Sequence, residues 1–134
     1  MKLVIQTVFA TVFSLLLVSS SGKADLTLDA AEPTANGSYQ ISANWSELKR
    51  GWNQLVFQLT DANQQLVSGA IVTIKYNMIG MNMDPPDNPV VETQSGVYEK
   101  KIFLGMNGNW KFDSRVIKQS VEDTHSKTQG VLKW

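Results

Sequence analysis

Apolar and polar side chains alternate one by one along much of this chain, and that period admits little besides half-buried β-strands. Tyr39, Ile41, Ala43 and Trp45 alternate with Gln40, Ser42 and Asn44. Leu55, Phe57 and Leu59 repeat the pattern within Gln54–Thr60. Trp110, Phe112 and Val116 repeat it within Asn109–Ile117, where Lys111, Asp113 and Arg115 take the other face. Successive side chains of a strand point to opposite sides, so each run offers one apolar face to a core. Ala70–Tyr76 is rich in β-branched residues and reads as a further strand, as do the shorter Val90–Thr93 and Val97–Leu104. The inward face of Val97–Leu104 stays open at this stage, because Lys100 and Lys101 fall on opposite sides of it. Pro85, Pro86 and Pro89 are expected to keep their segment out of any ladder, since proline donates no backbone hydrogen bond.

Short strands separated by turn residues, with no sustained helical period after the N-terminus, predict an all-β fold. The spacing points to an immunoglobulin-like antiparallel β-sandwich of about seven strands. The chain has no cysteine, so the core must hold without disulfides, and thiolate ligands are excluded. The N-terminus has a different character. Met1-Lys2 is followed by the almost wholly apolar run Leu3–Val18 and by Ser19–Ala24, small residues apart from Lys23. That is the layout of a signal peptide over residues 1–24, with a mature chain from Asp25 that is periplasmic or extracellular. A retained anchor is the alternative. No other stretch is apolar enough to span a membrane. Residues 25–38 read as a lead-in with a short edge strand at Leu26–Leu28, residues 39–118 as the sandwich, and residues 119–134 as a polar tail.

Three of the five methionines, Met78, Met81 and Met83, fall between Asn77 and Pro86. Met106 follows in Gly105–Trp110. If consecutive strands run in opposite directions, strand counting puts all four at one end of the domain, together with Trp52. Thioethers suit Cu(I), which is soft, whereas zinc, magnesium and calcium prefer harder or charged donors. The same side chains can equally fill irregular space in a core or present a pliable apolar surface to a protein. Trp52 and Trp110 can flank such a site, and His125, the single histidine, can fold back from the tail as an accessory ligand.

Several short motifs occur in a familiar order. They are Gly51-Trp52-Asn53, Gly69-Ala70-x-Val72, Met78-x-Gly80-Met81-x-Met83-x-Pro85-Pro86, Gly96-Val97-Tyr98 and Met106-x-Gly108-x-Trp110. In this the stretch from Trp45 to Lys118 resembles YtkA-like and FixH-like domains, small exported or membrane-anchored immunoglobulin-like sandwiches. The resemblance implies a role in copper handling or in assembly of copper-containing respiratory oxidases, with an envelope or membrane protein as partner. Two features depart from the pattern. FixH-type members keep a transmembrane anchor, and many relatives have a histidine near the second or third methionine, where this chain has Asn82-Met83.

Other functions find little raw material. One histidine and no cysteine leave the common nucleophile–base pairs without members, so no enzyme is expected. Loss of Lys2 and Lys23 with the signal leaves ten basic against twelve acidic residues, a formal charge of −2. With no basic stripe either, nucleic acid is not an expected partner. Two readings remain: an exported binding or accessory module that takes Cu(I) through Met78, Met81, Met83 and Met106, and a metal-free structural domain that docks on an envelope protein.

Overall fold

The computed structural model describes residues 27–81 and 84–132. The expected signal peptide lies outside them. Eight strands follow one another: β1 (Glu32–Pro33), β2 (Tyr39–Ala43), β3 (Gly51–Asp61), β4 (Ile71–Met78), β5 (Asn88–Gln94), β6 (Val97–Leu104), β7 (Gly108–Lys118) and β8 (Val121–Val131). A 3-10 turn, Trp45–Glu47, links β2 to β3. Among the described residues no helix is long and apolar enough to cross a membrane.

All strand pairs are antiparallel, in the order β1-β2-β3-β6-β5-β4-β7-β8. This is the arrangement of a constant-type immunoglobulin sandwich, with β2-β3-β6-β5 as one sheet and β4-β7-β8 as the other. β5 joins the two. Its Asn88, Pro89 and Val90 pair with β4, and its Val91, Glu92 and Gln94 pair with β6. Pro89 therefore stands inside a ladder, opposite Thr73, where the sequence pattern had placed it outside. The position is tolerable because β5 has changed partner there, so no second strand requires the hydrogen bond that proline lacks.

The inward faces are those the alternation predicts. Ile41, Leu55, Phe57, Leu59, Ile74, Phe112 and Val116 are fully buried between the sheets. Trp45 leaves the strand for the 3-10 turn but still packs inward, with ring centroids 5.5 Å from Phe57 and 5.3 Å from Phe112. On β6 the open question resolves in favour of Tyr98, Ile102 and Leu104 inside, with Lys101 and Phe103 outside.

Both ends of the chain depart from the sequence reading. The lead-in forms its strand at Glu32–Pro33, while Thr27 and Leu28 stand outside any strand and Leu26 lies outside the described residues. The segment 119–134, expected as a polar tail, supplies β8, which pairs with β7 along eleven rungs from Gly108↔Val131 to Lys118↔Val121. The lead-in then closes the seam between the sheets: the Ala35 amide donates to the Thr124 carbonyl at 2.7 Å. Asp123, buried on β8, accepts hydrogen bonds from Thr34 Oγ1 and from the amides of Asn36, Ser38 and Thr124. Lys127 and His125 both reach Glu32, at 2.8 and 2.9 Å.

Candidate functional site

Strand direction decides which loops meet. β3 begins where β6 ends, with Gly51 opposite Leu104 and Trp52 opposite Phe103. β4 ends where β7 begins, with Met78 opposite Trp110. The β2–β3, β4–β5 and β6–β7 connections therefore lie at one end of the sandwich, with Met81 and Met106 in them and Trp52 and Met78 on the strand ends beside them. Met83 lies outside the described residues.

The methionines at this end are not equivalent. Met78 is half-buried and packs against the core. A Cβ on Gly108 would meet its methyl at 2.5 Å, so the glycine is what gives the thioether room to lie flat on β7. Beyond Met78 the chain turns sharply. The Ile79 amide donates to the Asn109 carbonyl at 2.9 Å, the Met81 amide to the Met78 carbonyl at 3.2 Å, and Gly80 adopts φ +93°. That turn throws Met81 outward, 45% exposed. Met106, in the β6–β7 connection, is 56% exposed. Its carbonyl accepts a 3.0 Å hydrogen bond from Trp110 Nε1. Trp110 itself is only 9% exposed, so it braces the loop from within.

Trp52 is the opposite case. Asn53 ties down the turn before it, accepting from the Lys49 amide at 2.9 Å and donating to the Lys49 and Gly51 carbonyls at 2.7 and 3.0 Å. The indole is left 60% exposed against Phe103, itself 49% exposed, with centroids 5.1 Å apart. Lys101 Nζ lies 5.2 Å over the Trp52 ring. Sequence reasoning had not singled out Phe103, because its partner lies across a β3–β6 register that strand spacing alone does not reveal.

His125 is not at this end. It is buried on β8, opposite Ser114, and stacks on Trp45 at 6.2 Å. The tail from which it was to fold back is a strand, and its Nε2 is engaged with Glu32. Among the described residues, no three His, Cys, Asp or Glu side chains gather where a metal ion could sit. A shallow depression on the outer face of β4-β7-β8 is lined by Lys75, Asp87, Asp113, Arg115 and Thr124. Its charges largely offset one another, Arg115 lying 3.1 Å from Asp87 and 3.6 Å from Glu122.

Neither curated proteins nor solved structures yield a significant match to this chain. A family model described as YtkA-like matches residues 34–115, more than half of the sequence. The match runs from the Thr34 that grips Asp123 to the Arg115 of β7, taking in both methionine loops and the Trp52–Phe103 rung. The chain belongs to the YtkA-like family.

Proposed function

We propose that the protein is an exported, non-enzymatic accessory module that takes Cu(I) at the loop end bearing Met81 and Met106. The observation behind this reading is that these two thioethers stand exposed on neighbouring connections at one end, while Met78 is given over to packing. Exposed thioethers gain little from burial, and they are suitable donors for a soft monovalent cation. Met83 belongs to the same loop as Met81 and is a third donor on sequence grounds. The FixH-like side of the resemblance supports copper handling, with a copper protein of the envelope as the partner served. Met1–Ala24 supports export to the periplasm or beyond.

The test is a competition titration with a chromophoric Cu(I) chelator, on the wild type and on Met81→Leu combined with Met106→Leu. Leucine keeps the volume and removes the sulfur, so stability should change by less than about 1.5 kcal/mol per site. Cu(I) binding in the wild type and its loss in the double variant are the expected outcome. Equal affinity in both, or none in either, would remove the copper reading and leave a metal-free envelope interaction domain.

A further inference from the structure

The same end has a second property that does not depend on copper. Trp52 and Phe103 form a tilted pair on the outward face of β3 and β6, one rung from the rim. Both exposed large aromatic side chains among the described residues are in this pair. At the same end of the sandwich stand exposed Ile79, Met81 and Met106 on the loops, and two exposed lysines, Lys49 just before the turn and Lys101 over the indole ring. Asp29, Glu47 and Asp84 share this end but lie off the β3–β6 ladder, and Glu99, on the ladder two residues below Lys101, is taken up by hydrogen bonds from Gln54 and Thr93.

Tryptophan, an apolar ring with one polar N–H, settles at the boundary between lipid and water, and a phenylalanine beside it adds apolar area to be buried there. Lysine buries its stem there and keeps its ammonium among anionic headgroups. A third observation gives direction. The Asp29 amide donates to the Ala43 carbonyl at 2.8 Å, and its carboxylate accepts from the Ser46 amide at 2.9 Å. Ala43 and Ser46 flank the top of β2, next to the connection that leads into Trp52. The chain thus enters the domain at the aromatic end. Val18, the last residue of the apolar run, precedes Thr27 by nine positions, a span of roughly 30 Å at full extension. Whenever that run sits in a bilayer, this end of the domain is the one tethered toward it.

We infer that the Trp52–Phe103 end, with Lys49 and Lys101, is a docking surface for an anionic lipid bilayer. The aromatic side chains and the loop residues Ile79, Met81 and Met106 enter the headgroup region, and the lysines meet phosphate. The depression on the outer face of β4-β7-β8 takes no part.

The experiment uses the chain beginning at Asp25, which contains all eight strands and the whole described core. It is sedimented with vesicles of phosphatidylcholine mixed with phosphatidylglycerol, and with vesicles of phosphatidylcholine alone. Binding to the mixed vesicles, weakened by salt and by about tenfold or more in Trp52→Ala combined with Phe103→Ala, is the expected result. The two side chains are exposed, so an unchanged melting temperature will show that the variant is folded. Lys49→Glu combined with Lys101→Glu should lose the preference for phosphatidylglycerol. No binding to either vesicle, equal binding to both, or undiminished binding in the aromatic variant would overturn the proposal. Binding to native membranes that vanishes on protein-free vesicles would assign the surface to a protein instead. Copper is absent throughout, so failure here and failure of the Cu(I) titration are separate results.

Discussion

Thr34 Oγ1 donates a 2.7 Å hydrogen bond to Asp123 Oδ2 across 89 residues of chain, fastening the lead-in to the last strand. Asp123 is buried and also gathers the amides of Asn36, Ser38 and Thr124. Asp123→Ala would strand several donors at once. A buried donor left without its acceptor costs about 1–3 kcal/mol, so the loss should reach at least that range. Asp123→Asn keeps one acceptor oxygen and should lose less. Urea denaturation of the two variants checks the order, and equal stability in Asp123→Ala and wild type would mean that the clasp is idle.

The same carboxylate sets an acid limit. Burial favours its neutral form, but the hydrogen bonds from Thr34 and from the Asn36, Ser38 and Thr124 amides outweigh this and bring its pKa from 3.8 down to about 2. A depressed carboxyl contributes stability that is fully present above its unfolded value and is lost as pH falls through its folded one. Glu32 adds in the same sense, lowered chiefly by the Lys127 hydrogen bond. Thermal melts should therefore fall steeply from about pH 5 to about pH 2, and less steeply in Asp123→Asn. Parallel profiles for wild type and variant would contradict the assignment.

Phe57 lies at the centre of the core, against Trp45. Phe57→Ala removes an aromatic ring from a site that cannot fully collapse, and should cost roughly 3–5 kcal/mol. A shift in the urea midpoint equivalent to less than about 1 kcal/mol, with unchanged slope, would mean that the site relaxes more than the packing suggests.

Tyr98 tests a polar contact within that core. Its hydroxyl donates to the Val67 carbonyl at 2.7 Å and accepts from the Ala70 amide at 3.0 Å, holding the β3–β4 connection onto β6. Tyr98→Phe keeps the ring and leaves both backbone groups without that partner, so a loss of about 1–3 kcal/mol is expected. Amide exchange at Ala70 should accelerate in the variant; unaltered exchange would show that the loop is held by other means.

The contrast between β3 and β8 shows what was legible in the sequence. Leu55, Phe57 and Leu59 announce an inward face because their apolar side chains are buried together in the core. On β8 the corresponding inward positions hold Asp123, His125 and Lys127, each bonded to Thr34 or Glu32 of the lead-in, although His125 Nδ1 is left without a partner among the described residues. The period of two is there, but it is not written in hydrophobicity. The turn before β8 is also silent. Gln119 and Ser120 both adopt positive φ, a conformation usually advertised by Asn-Gly or Gly. At the candidate site, alternating strand direction sufficed to gather the methionine loops at one end. It could not show that Met78 lies down on Gly108 while Met81 turns outward, since that depends on one close approach and one tight turn.

The family match stops at residue 115, and β8 lies wholly beyond it. A chain cut there would bare the edge of β7 and uncover Trp45 and Phe112, inviting strands from other molecules and hence aggregation. β8 removes that edge and is covered in its turn by the lead-in, where Ala35 bonds to Thr124 and where Thr34 and Glu32 engage Asp123 and Lys127. The polarity that makes this segment look like a tail is thus what fastens the lead-in across the place where a neighbouring copy would add on.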